Sequence, residues 1–79
     1  MVSFMTPADT SRGIAANVSA ALRAASISQR DAAARTGIAI NTLSRRLTGH
    51  SPFSVTELAL LADILGTTVP DLVTVERAA

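Results

Sequence analysis

Residues 28–49, SQRDAAARTGIAINTLSRRLTG, decide how this chain folds. Ser28 followed by Asp31 predicts a helix start: the hydroxyl accepts from an N-terminal amide while the acid three residues on answers back. The helix so begun runs to about Thr36 and turns Ala32 and Ala33 inward. Gly37 fits the position just past a helix end, where φ is positive. Ile38 then plugs the core, and a second short helix starts at Ala39 or Ile40 and ends near Thr48–Gly49. At about 100° per residue, Ile40, Leu43 and Leu47 share one face of that helix. Asn41, Thr42, Arg45 and Arg46 fan over the other. A solvated helix face usually mixes Glu with Lys; this one carries Asn, Thr and Arg.

The same start signal recurs on both sides of this stretch. Thr6 stands before Asp9, Ser54 before Glu57, and Thr68 before Asp71. Acids there also favour the positive end of a helix. With Pro7 at its first position, the opening helix points toward Ala25, and Ile14, Val18 and Leu22 form its apolar stripe. Gly13 weakens it by roughly 1 kcal/mol relative to Ala, so a short first turn that breaks there is equally compatible. Downstream, Pro52 bars helix continuation, and Phe53 anchors the loop from His50 onto the core. A helix over Val55–Leu65 turns Leu58, Leu61, Ala62 and Leu65 inward and stops at Gly66. A last helix follows Thr68, with Val69, Leu72 and Val73 closing the core; Thr74–Ala79 fray unless something packs on them. No stretch alternates with period two, so the expectation is all-α, a compact five-helix bundle. Residues 1–10 are expected as an arm or short helical turn, with Phe4 tucked in or loose. Residues 11–74 form the domain and 75–79 a tail.

Composition narrows the function classes. Seventy-nine residues make one domain, and 48% hydrophobic residues with no Trp or Tyr imply a core of close-packed aliphatic side chains. No Cys is present, which excludes disulfides and thiolate metal sites and suggests a cytoplasmic setting. Neither a signal peptide nor a run of roughly eighteen apolar residues is seen. The only histidine, His50, cannot hold a metal alone, so no metal and no cofactor is expected. There is no glycine-rich phosphate loop, no nucleophile beside a base and no carboxylate pair at ligand spacing, so an enzyme is not expected. Net charge is only +1, but its distribution is uneven. From Arg12 to Arg46 six Arg face one acid, Asp31; from Leu47 onward one Arg faces four acids. One half is therefore suited to meet phosphates.

The chain resembles the lambda-repressor-like, Cro-type helix-turn-helix family. The likeness rests on Ser28-Gln29, Ala33, Gly37-Ile38, Thr42-Leu43-Ser44-Arg45, Gly49, Glu57-Leu58, Leu61-Ala62 and Leu65-Gly66. It implies five helices, the second and third being the DNA-reading unit, and a sequence-specific repressor of phage or bacterial type acting on a double-stranded operator. By that resemblance Asn41, Thr42 and Arg45 touch base edges, with Ile40 a further candidate. Gln29 binds a phosphate, Ser28 stands beside it, and the loop from Thr48 to His50 meets the backbone. Arg12 is a further phosphate candidate from the basic half. Such proteins commonly bind as dimers on half-sites about one helical turn apart; Leu72, Val73 and Val75 are the candidate homodimer surface, unless they finish the core. Two alternatives share the fold: an antitoxin-type protein-interaction module, or the DNA-binding domain of a longer repressor.

The chemistry suits these roles. Arg forks onto guanine O6 and N7, and Asn onto adenine N6 and N7. Ile40 is double-edged: its angle favours the core, while its place at a helix start suits a thymine methyl. Arg46 stands where the family often has an apolar residue, and its angle beside Thr42 turns it outward toward a phosphate or plain solvent. Ala39 takes a slot usually held by a capping Ser or Thr, which costs about 1 kcal/mol.

Overall fold

The computed structural model describes residues 6–75. These form α1 (Pro7–Ala24), α2 (Gln29–Thr36), α3 (Ile40–Leu47), α4 (Val55–Leu65) and α5 (Val69–Val73), with no strand among the described residues. The expectations for Met1–Met5 and for the residues after Val75 lie outside this range.

All four hydroxyl caps form: Thr6, Ser28, Ser54 and Thr68 accept from the N–H groups of Asp9, Asp31, Glu57 and Asp71. The acid returns to the capping residue only in α1 and α4, where Thr6 N donates to Asp9 over 3.1 Å and Ser54 N to Glu57 over 2.8 Å. Asp31 turns instead to Arg35, 3.2 Å away, and Asp71 accepts from the Thr67 hydroxyl. α3 begins at Ala39 without any side-chain cap, as its sequence implies. Gly37 and Gly66 stop α2 and α4 in the left-handed region, at φ 79° and 66°.

Val18 and Leu22 of α1, Ala32 of α2, Leu43 of α3, Leu58, Leu61 and Ala62 of α4, and Leu72 of α5 make one buried cluster. Ile14, Ile27, Ile38, Leu47, Phe53 and Val69 pack around it. α3 rests on α1 and α2, while α4 bridges α2 and α5. Every inward position predicted for α4 contributes, because the 3.6-residue repeat leaves those side chains nowhere else to go.

The two residues after α5 meet the packed alternative. Thr74 and Val75 do not fray: the Asn17 side-chain amide donates to the carbonyls of Leu72 (2.9 Å) and Thr74 (2.7 Å). Val75 lies over Gly13, so close that a Cβ there would meet its Cγ1 at 2.6 Å. α1 thus runs through Gly13 unbroken, and the missing side chain makes a seat for the tail. Leu72 is buried, and Val73 and Val75 are half-buried, so these residues help to finish the core, one of the two roles expected of them. The physical reason is the Asn17 clamp, which pulls the last turn against α1. Asn17→Ala should cost about 1 kcal/mol, since it strips the partly buried Leu72 carbonyl and the exposed Thr74 carbonyl of their donor. A thermal melt showing an unchanged midpoint would mean that water replaces the amide at no cost.

Candidate nucleic-acid interface

The turn between α2 and α3 is tied down by Thr36. Its hydroxyl donates to the Ala32 carbonyl over 2.7 Å and accepts from Ile38 N–H over 3.3 Å. With Gly37 in the left-handed region, this fixes how α3 leaves α2. Leu43 then anchors α3 from below with 0% exposure. The opposite side is presented outward: Asn41 and Arg45 are exposed and Thr42 is half-exposed. None of the three side chains hydrogen-bonds elsewhere among the described residues, so their donors and acceptors are open.

Ile40 corrects one expectation. It is 43% exposed, on the rim with Asn41 instead of in the core. Helical angle alone points it inward, but it is the first residue of α3, where the underlying helices no longer reach. Because Ala39 supplies no cap, the N–H groups of the first turn of α3 also stay unpartnered by side chains.

Arg46 corrects another. It does not face outward; its Nε donates to Glu57 Oε1 over 3.1 Å, the two side chains being only 25% and 16% exposed. At about 240° from Ile40 on the helical wheel it borders the Leu43 face, and its long stem reaches sideways to α4. Glu57 therefore serves two elements at once, capping α4 through Ser54 and holding α3 through Arg46. Burial raises the Glu57 pKa, but the Ser54 N–H and the Arg46 guanidinium outweigh it and hold the carboxyl below its ordinary value of 4.5. A carboxylate lowered on folding contributes stability above that value and loses it as pH falls through the folded pKa. Glu57→Gln should thus cost about 1–2 kcal/mol at neutral pH, and its deficit against wild type should shrink in urea melts as pH drops below 4.5.

Around this helix lie the phosphate candidates. Ser28 and Gln29 are exposed at the start of α2. Since Asp31 turns to Arg35, the Ser28 N–H has no partner among the described residues and joins the open amides of the first turn. α3 ends in a tight turn: Gly49, at φ 81°, donates its N–H to Arg46 O, and His50 donates its N–H to Arg45 O. The Thr48 hydroxyl donates to Arg45 O over 3.0 Å and lies 2.7 Å from His50 Nδ1. With the hydroxyl proton used on the carbonyl, His50 Nδ1 is the donor of that pair. The Arg12 stem crosses Gly49, where a Cβ would meet its Cγ at 2.9 Å, while its guanidinium pairs with Asp9. The Thr6 amide and hydroxyl, helped by Arg12, hold the Asp9 carboxyl below its ordinary value. Arg12 therefore stands at the loop, with part of its charge already neutralised.

A sequence model of the helix-turn-helix family matches residues 18–72, which contain both short helices, the turn at Gly37 and the core beneath them. The chain belongs to that family. No curated protein and no solved structure matches it. The helix-turn-helix match agrees with the lambda-repressor-like resemblance read from the sequence, and it makes this a DNA-binding domain of the regulatory kind. Among the described residues no helix is long and apolar enough to cross a membrane. Two features of this helix-turn-helix escaped the sequence reading: the Thr36 stitch and the Arg46–Glu57 tie. Thr36, a hydroxyl one residue before the left-handed Gly37, is the signal that was there to be used.

Proposed function

We propose that the chain is a sequence-specific, double-stranded DNA-binding transcriptional regulator, a repressor of phage or bacterial Cro type that occupies an operator with α3 in the major groove. One observation carries this reading. Arg45 and Asn41 project from α3 with no hydrogen-bond partner for their side chains among the described residues, while Leu43 on the opposite side is fully buried. A helix that leaves its strongest hydrogen-bonding groups unmet, on a rigid support, is arranged for an outside partner. Asn41, Thr42 and Arg45 read base edges, and Ile40 meets a thymine methyl. Gln29, Ser28, Thr48, His50 and Arg12 hold phosphates and so set the register of α3. Arg46 is left out of that set because Glu57 occupies it. A homodimer on two half-sites would use surface other than Leu72, Val73 and Val75, which are committed to the core.

The test is selection from random duplexes, followed by binding of the enriched sequence at two salt concentrations. Enrichment of one sequence, with affinity falling steeply as salt rises, supports the proposal. Equal binding to every duplex would leave only a non-specific DNA coat.

A further inference from the structure

A cavity of about 270 Å³ opens between the end of α1, the first turn of α2 and the end of α3, lined by Ser19, Leu22, Arg23, Ile27, Gln29 and Leu47. Leu22, Ile27 and Leu47 supply its apolar wall, and Ser19, Arg23 and Gln29 its polar atoms. No carboxylate lines it. A larger cavity, between α1 and the α4–α5 end, is the reverse: Asp71 stands at its edge and no cation does. Among the described residues Arg12, Arg35 and Arg46 each have an acidic partner, whereas Arg23, Arg30 and Arg45 have none within 4.0 Å, and of these three Arg23 is the one that lines this recess.

The local backbone brings Arg23 to this place. Ser26 N–H bonds Arg23 O and Ile27 N–H bonds Leu22 O, with Ser26 itself in the left-handed region at φ 58°. That turn brings the first residue of α2 within reach of the last turn of α1, and Arg23 and Gln29 line one opening. A guanidinium, an amide and a hydroxyl around a recess without acid suit an anion, and a guanidinium is the side chain best matched to phosphate oxygens.

We propose that Arg23 is a further phosphate-holding residue, gripping a backbone phosphate of bound duplex DNA together with Gln29 from outside the two-helix reading unit. This rests on the DNA-binding regulator reading above. Arg23 belongs to α1, which is why a search confined to the two short helices passes over it.

The full chain is tested by fluorescence anisotropy on a selected duplex and on a random one, between about 50 and 200 mM salt. Arg23→Gln should weaken both duplexes by the same several-fold factor and flatten the logarithmic salt dependence by about 1. Arg23→Lys should keep the wild-type slope, because the charge remains. Arg35→Gln, which removes an equal charge already tied to Asp31, should also keep it. Wild-type binding together with an unchanged slope in Arg23→Gln overturns the assignment of Arg23 alone. An equal flattening in Arg35→Gln overturns it too, by showing that only net charge matters. A wild type that binds neither duplex overturns the regulator reading, and this site with it.

Discussion

Leu43→Ala is expected to lower the free energy of unfolding by about 2–5 kcal/mol, the largest single effect anticipated in this chain. Leu43 is 0% exposed and is the one buried residue of α3. The helix has few other supports: it is eight residues long, has no side-chain cap at Ala39, and touches the core otherwise through Leu47 at its far end. Isolated helices of that length are not stable in water, so packing must hold it. Removing the isobutyl group deletes the anchor and leaves a void beneath the presented face. Urea unfolding followed by circular dichroism gives the number. A loss below about 1 kcal/mol would show that the neighbouring helices collapse into the gap. Leu47→Ala, truncating a side chain only partly buried, should cost less.

Arg45→Ala is expected to cost about 1–3 kcal/mol on the preferred duplex and to relax the choice of base at one position. The side chain is exposed and makes no hydrogen bond or ion pair among the described residues, so truncating it should leave the fold intact and the melting midpoint at the wild-type value. Repeating the selection with the variant is the decisive measurement. A uniform drop on all sequences, with the preferred one unchanged, would falsify base reading and move Arg45 among the phosphate holders. Lys at this position should restore the salt dependence but not the choice of base, because a point charge lacks the fork that meets two acceptors together.

The pattern of residues carried most of the architecture. Hydroxyls at Thr6, Ser28, Ser54 and Thr68 mark helix starts because an exposed amide has few other partners within reach. Gly37 and Gly66 mark ends because few other residues tolerate the left-handed backbone. These are local rules, and they held. Misplacements arose where long-range contacts decide. Arg46 sits at a borderline helical angle, and only Glu57, eleven residues on, turns it aside. Ile40 has an apolar angle, but the depth of the core at the tip of α3 is a property of three other helices. Asn17 interrupts the inward stripe of α1, and nothing nearby in sequence names its partners, which lie 55 and 57 residues away. Of the site, the two reading helices were legible from Ser28 to Gly49. The neighbouring recess at Arg23 was not, since it depends on how the turn at Ser26 brings Gln29 to the same opening as the last turn of α1.

The clasp between Asn17 and the carbonyls of Leu72 and Thr74 has a consequence for how the molecule breathes. A five-residue helix would ordinarily open and close on its own, far below the cost of global unfolding. Here its release requires the longest helix to give up the Asn17 hydrogen bonds and uncover Gly13. The turn of α5 is therefore expected to open together with α1, its weak packing protected by the longest helix, and slowed amide exchange in α5 would show it.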